Sequence, residues 1–237
     1  MVRRNAGLLA MTLLLTGAGI RQPTLSEQEK AFAQERREMV ADQIQRRGVA
    51  DKRVLEAMRA VPRHLFVPRD LQRMAAMDTP LPIGQGRTIS QPYLVALMTE
   101  MAEISPGEKV LEVGTGSGYQ AAVLSELTDK VFTLEILPDL AAGAQRRLQA
   151  MGFRQIQVRT GDGTLGWPEE APFDAILVTA APEEVPQPLL DQLAEGGVLV
   201  APVGSAGAQH LRRFRKTGGE IKEEETIPVS FVPRVHG

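Results

Sequence analysis

The sequence predicts an α/β fold, with a mostly parallel sheet covered by helices, N-terminal helices before it and an antiparallel finish after it. Three observations point there. Short apolar runs alternate with helical stretches from Lys109 to Val203, and such alternation with short connections implies parallel strands with helices on the faces. A glycine-rich turn, Gly114-Thr115-Gly116-Ser117-Gly118, follows the first of these runs and opens a helix. Beyond Gly204 the helical pattern stops, and two extended stretches lie on either side of Gly218-Gly219.

The elements follow in order. Arg3 and Arg4 precede the apolar run Gly7 to Leu15, and Gly17, Ala18 and Gly19 come after it. This is the form of a secretory signal, and the run is short for a membrane span; the alternative is an uncleaved, weakly apolar tail. Ser26 to Arg47 lacks Pro and Gly and carries the stripe Phe32, Met39, Val40 and Ile44. With Ser26 and Glu29 as a capping box, it is expected as a helix ended near Gly48. Asp51 is placed to cap a second helix, with Val54, Leu55 and Met58 on one face, that stops before Pro62. Asp78 to Pro92 holds Pro80, Pro82, Gly84 and Gly86 and is expected as a loop, of a length that is often functional.

A helix is expected over Tyr93 to Ile104. Strands follow at Lys109–Val113, Val131–Ile136, Ile156–Val158, Phe173–Val178 and Val198–Val203, with helices at Gly118–Leu127, Leu140–Met151 and Pro188–Ala194 between them. Leu211–Arg215 and Thr226–Val232 form the antiparallel finish. The chain thus divides into a leader (1–33), N-terminal helices with a substrate or cofactor loop (34–105), a cofactor-binding core (106–206) and C-terminal strands on the substrate side (207–237).

Composition narrows the function. The 237 residues are 43% hydrophobic and 24% charged, as in ordinary globular proteins. A net charge of −2 supplies no basic field for nucleic acid. The absence of cysteine removes disulfides, thiolate nucleophiles and thiolate metal sites. His64, His210 and His236 are far apart and show no metal spacing, so they are expected as packing or surface residues and no metal is expected.

The chemistry sits in the core. In Glu112-Val113-Gly114-Thr115-Gly116-Ser117-Gly118 the glycines let the backbone approach a ligand at a helix N-terminus. Tyr119 stands where a dinucleotide fingerprint has its third glycine, so the spacing favours S-adenosylmethionine over a nicotinamide cofactor. Glu135, at the end of the second strand, is placed to accept hydrogen bonds from both ribose hydroxyls. Gly161-Asp162-Gly163 follows the third strand, where a carboxylate can accept from an adenine amino group, although Asp-Gly is also a common turn. The expected cofactor residues are Glu112, Gly114, Gly116, Gly118, Glu135, Asp162 and Gly163.

Together with Ile83 to Tyr93, Pro172 to Ile176, Thr179 to Pro182, Gly196 to Gly204 and Val229 to Pro233, these motifs resemble the protein-L-isoaspartate O-methyltransferase family from about Met39 to Gly237. The Thr88-Ile89-Ser90-Gln91-Pro92-Tyr93 loop is the specific element, and Arg87 stands where the family's bacterial pattern usually has glutamine. The resemblance implies a Rossmann-like S-adenosylmethionine-dependent methyltransferase fold. It implies methyl transfer to the free α-carboxylate of L-isoaspartyl, and of D-aspartyl, residues in damaged proteins and peptides. The ester then closes to a succinimide without the enzyme. It also implies Ser90 as the catalytic residue, with Thr88, Ile89, Val232 and Pro233 on the substrate. A helix cap is the alternative role for Ser90. A monomer in the cytoplasm is expected, since S-adenosylmethionine is made there; export to the periplasm through the signal-like segment is the alternative. Competing functions are a methyltransferase with another acceptor, a binding module on a relic fold, and a nicotinamide dehydrogenase.

Overall fold

The computed structural model describes residues 25–205 and 208–229. The signal-like segment, and Val232 and Pro233, lie outside the described residues.

Helix α1 spans Leu25–Met39, with Ser26 inside it rather than before it. The chain then widens into a π-turn over Val40–Ile44 and tightens through Gln45–Arg47, stopping at Gly48, which takes φ 107°. The long helix expected to Arg47 is therefore interrupted, and the interruption lets Met39, Val40, Ile44 and Val49 all reach the core. Helix α1 also crosses the expected boundary at residue 33. The Phe32 ring stacks on buried His64 at 4.1 Å, and Glu29 Oε1 lies 3.4 Å from His64 Nε2.

Helix α2 (Lys52–Ala60) is capped by Asp51, whose side chain accepts from the Arg53 N–H. Two short 3₁₀ turns lead into the expected loop. Within it stands a hairpin, β1 (Leu81–Gly84) and β2 (Arg87–Ile89), with Leu81 paired to Ile89 and both buried. Gly84, Gln85 and Gly86 turn it with positive φ. The prolines pointed to a loop here, but a two-stranded ribbon tolerates Pro82 because its outer edge needs no donor. Helix α3 (Pro92–Met101) follows directly.

The core is a seven-stranded sheet in the order β5-β4-β3-β6-β7-β8-β9. Strands β3 (Lys109–Val113), β4 (Lys130–Glu135), β5 (Gln157–Thr160), β6 (Phe173–Val178) and β7 (Leu193–Val203) are parallel. Strands β8 (Gln209–Thr217) and β9 (Glu220–Val229) complete it antiparallel. Helices α4 (Tyr119–Ser125), α5 (Pro138–Ala150) and α6 (Gln187–Asp191) make the connections. The expected helix over Pro188–Ala194 ends at Asp191, because Leu193 already pairs with Phe173 as strand.

Side-chain alternation divides the sheet between two cores. Val110, Ala175, Leu177, Val198 and Val200 join one with α2, α3 and α4; Leu111, Ile176, Val178, Leu199 and Ala201 join the other. Chain order runs outward from β3 to β5, then returns beside β3 as β6. That reversal is a topological switch point, and in open α/β sheets ligands bind there, beyond the carboxyl ends of the strands.

Candidate active site

A cavity opens at the switch point. Its floor comes from the residues after β3, the end of β4, the Asp162-Gly163 turn after β5 and Thr179-Ala180 after β6; its roof is Arg87 to Ser90. Ser90, Thr88, Ile89, Glu112, Gly114, Gly116, Glu135, Asp162 and Gly163 all line it. Gly118 does not. It starts α4 behind the wall, where a Cβ would come within 3.2 Å of Leu148 on α5, so its smallness serves helix packing.

The glycine loop is tied to strand β4. The N–H groups of Gly114 and Thr115 donate to the Leu134 carbonyl at 2.8 and 3.1 Å. The Gly116 N–H donates to Glu135 Oε2 at 2.8 Å, and the Leu137 N–H donates to Glu135 Oε1 at 3.1 Å. Each oxygen of this buried carboxylate thus accepts one backbone bond, and a carboxylate oxygen has room for a second. At Gly114, with φ 108°, a Cβ would stand 2.4 Å from Thr179 Oγ1. The Thr179 hydroxyl donates across the switch point to the Gly114 carbonyl at 2.7 Å and the Val113 carbonyl at 3.1 Å. At Gly163 a Cβ would meet Val113 Cγ1 at 2.3 Å. Both glycines are required by close approach of neighbours. Asp162 accepts from the Thr164 N–H at 2.9 Å, so it shapes its turn while lining the cavity.

Glu112 is fully buried on β3. Its Oε2 accepts from the Thr133 hydroxyl at 2.6 Å, and Thr133 Oγ1 lies 2.6 Å from Thr115 Oγ1. Its Oε1 has no partner among the described residues. Burial pushes the carboxyl up to about 8, which the Thr133 bond only partly offsets. A cation brought to Oε1 would restore the ionised form.

Ser90 lines the same cavity, on the roof with Arg87 and Thr88. No hydrogen bond ties its hydroxyl among the described residues, and it does not cap α3. The N-cap of that helix is Gln91, which makes no side-chain capping bond. The first-turn donor, the Tyr93 N–H, instead reaches Asp78 Oδ1 at 3.1 Å. Sequence reasoning from spacing alone did not single out Thr179 or the buried Gln120, both on the cavity wall. Thr179 was detectable by position, since β6 lies beside β3 and its carboxyl end had to face the same cavity. Gln120 had no local signal; it is fixed by donating to the Thr99 hydroxyl at 2.9 Å.

The residues fit S-adenosylmethionine on three observations. Glu135 offers acceptors at a strand end for a ribose diol. The unpartnered Glu112 oxygen offers a counter-charge for an ammonium group. Gly114, Gly116 and Gly163 bring backbone without side chains to the cavity wall. Fold and cavity together define a Rossmann-like S-adenosylmethionine-dependent methyltransferase. The profile of the family described as protein-L-isoaspartate(D-aspartate) O-methyltransferase matches residues 34–237. A protein-L-isoaspartate O-methyltransferase of a Synechococcus strain is 55% identical over 221 residues, covering 90% of this chain and 91% of its own. A Syntrophobacter fumaroxidans protein-L-isoaspartate O-methyltransferase 1 is 61% identical over 204 residues, covering 86% and 95%. A Plasmodium falciparum chain assigned to the same family, solved in complex with S-adenosyl-L-homocysteine, superposes with a TM-score of 0.73 at 27% identity over 84% of this chain and 97% of that one. The chain belongs to the protein-L-isoaspartate(D-aspartate) O-methyltransferase family.

Proposed function

We propose that the cavity carries out methyl transfer to the free α-carboxylate of L-isoaspartyl residues, with Ser90 orienting the acceptor. The protein is a methyltransferase of damaged proteins and peptides, and S-adenosylmethionine is its methyl donor. Held at Glu112, Glu135, Asp162 and the glycine loop, the donor supplies an electrophilic methyl group on a sulfonium sulfur.

A carboxylate is already ionised at neutral pH, so its attack needs no general base. The acceptor's carboxylate oxygen bonds to the methyl carbon, and the electron pair of the breaking carbon–sulfur bond passes to sulfur. The products are the methyl ester and the neutral thioether. What remains for the protein is alignment of nucleophile, methyl and leaving sulfur, worth several kcal/mol when reacting atoms are held near contact. In this reading the Ser90 hydroxyl donates to the acceptor carboxylate and sets its angle. Thr88 and Ile89 flank the bound residue, and the family resemblance assigns Val232 and Pro233 to the substrate as well. A neutral donor suits this step, because a cation on the nucleophile would hold back the charge that must leave it.

The observation that carries the reading is the Ser90 hydroxyl, free among the described residues, lining the same cavity as the two buried carboxylates. The reading takes the chain as a monomer acting in the cytoplasm, where its donor is made. Among the described residues no helix is long and apolar enough to cross a membrane. The test is labelled-methyl transfer to an isoaspartyl peptide and to its normal aspartyl twin. Label on the isoaspartyl peptide alone is expected; equal labelling of both, or of neither, contradicts the proposed acceptor.

A further inference from the structure

The segment that carries Ser90 is closed at its neck. Asp78, its first residue, reaches across to Tyr93, the residue after Pro92, and accepts the Tyr93 N–H at 3.1 Å through Oδ1. The other carboxylate oxygen, Oδ2, takes an ion pair from Arg47 Nη1, at the end of the N-terminal helical segment. The Arg47 guanidinium also lies over the Tyr93 ring, 3.5 Å from its centroid. Three distant pieces of chain therefore meet at one point, and the hairpin with Ser90 hangs between the two ends of a single hydrogen bond.

The bond answers a local need. Pro92 has no N–H and Gln91 makes no capping bond, so α3 lacks a cap of its own. Asp78 supplies it from fifteen residues away in sequence, and a carboxylate at a helix N-terminus is favoured by the helix dipole. The start of α3 is thereby fixed, and Ser90 lies three positions before the capped residue. Within the segment Leu81 and Ile89 bury the hairpin, but their side chains anchor the strands and not the peptide at Ser90.

We propose that Asp78, braced by Arg47, is a positioning residue for methyl transfer: it fixes the neck of the 78–93 segment and so the placement of Ser90 over the cavity. The proposal rests on the role assigned to Ser90 above. Asp78 does not line the cavity, so it acts through the segment and not on the donor or acceptor.

Two substitutions separate positioning from stability. Asp78→Ala and Asp78→Asn both remove the charge that faces Arg47 and the buried Arg63, so both lose that electrostatic support. Only Asp78→Asn keeps an oxygen that can accept the Tyr93 N–H, and the half-exposed Arg47 can turn to solvent. Asp78→Ala is expected to lower kcat/KM for an isoaspartyl peptide by about ten- to thirty-fold, the scale of a displaced positioning contact. S-adenosylmethionine Kd should stay within about two-fold, because the carboxylate walls are untouched. Asp78→Asn is expected to recover most of the rate at a similar Tm.

A double-mutant cycle then tells the two readings apart. In a Ser90→Ala background the further cost of Asp78→Ala should shrink to about two-fold, since the group it positions is gone. If Ser90→Ala alone has no effect while Asp78→Ala still slows the peptide reaction, the Ser90 role fails and the neck holds another group of the segment. If Asp78→Asn is as impaired as Asp78→Ala, or turnover falls only in step with Tm, the positioning role is overturned. Should Asp78→Ala fail to fold, Arg47→Met tests the brace alone, with a two- to five-fold loss in kcat/KM expected and no loss counting against it.

Discussion

The two walls of the cavity are built differently. On the donor side, the Gly116 N–H is bonded to the Glu135 carboxylate, and Glu112 ends a buried hydroxyl chain that runs through Thr133 to Thr115. On the proposed acceptor side, the Ser90 hydroxyl, free among the described residues, sits on a short segment held at its neck from outside. The strand ends make a rigid floor whose polar groups are preorganised for a ligand that is always the same. The proposed acceptor is a residue in many different proteins, and it would meet a wall on which the Ser90 hydroxyl is free to turn toward it. If this contrast is sound, changes on the two walls should separate donor affinity from turnover.

Breaking the acceptor wall should have the largest effect. Ser90→Ala is expected to lower turnover on an isoaspartyl peptide by about ten- to a thousand-fold, the range for loss of one positioning contact. Ser90→Thr keeps the hydroxyl and should retain part of the rate. Steady-state kinetics with saturating donor reads both; a normal rate in the alanine variant would reduce Ser90 to a bystander.

Breaking the donor wall should act on affinity. Glu135→Ala removes the acceptor of the Gly116 N–H and the expected partner of the ribose. S-adenosylmethionine binding should weaken by about 1.5–3 kcal/mol, the scale of hydrogen bonds to a charged group, or roughly ten- to a hundred-fold in Kd. Unchanged affinity by calorimetry would take Glu135 out of the donor site.

Glu112 sharpens the same wall through pH. Its folded-state value, about 8, lies above the ordinary 4.5 of an unfolded chain. Below pH 4.5 both states hold the proton and burial costs nothing extra. As pH rises from 4.5 toward 8 the unfolded chain ionises first, so the stability Glu112 contributes is lost across that window. Glu112→Gln removes the titration. The Tm of the variant minus that of the parent, measured without ligand, should rise by about 7–14 °C between pH 5 and pH 8. A difference independent of pH would mean the carboxyl does not hold its proton.

The smallest effect on activity belongs to the N-terminus. Deleting residues 1–33 removes Phe32 and Glu29 from buried His64 and should lower stability by about 1–3 kcal/mol. Specific activity should stay within about two-fold, since no group of the cavity moves. A folded but inactive truncated chain would tie this helix to the site.

Much of the donor wall was legible because it is local. Val110 to Gly116 are consecutive and Glu135 closes the next strand, so their spacing follows from one strand–turn–helix–strand unit. The acceptor wall was legible only by resemblance. Its hairpin has strands of four and three residues with Pro82 in one of them, too short and too interrupted for alternation to show. The joining of Arg47, Asp78 and Tyr93 depends on packing of the Gln45–Arg47 turn, the loop and α3, which no window of the sequence contains. The burial of Glu112 was hidden for a similar reason: a carboxylate in a strand gives no sign that its neighbours will exclude water. The π-turn at Val40–Ile44 arises because four apolar residues must reach one core, a demand set by the body and not by the helix.

The separation of the two walls is tested most directly by S-adenosylmethionine calorimetry on the Ser90→Ala chain whose turnover has been measured. The account predicts a Kd within about two-fold of the parent alongside a turnover lowered at least ten-fold, since Ser90 acts on the acceptor and the donor is held by the strand ends. A Kd weakened about ten-fold or more, matching the loss of turnover, would contradict it, because Ser90 would then belong to the donor site and the two walls would be one.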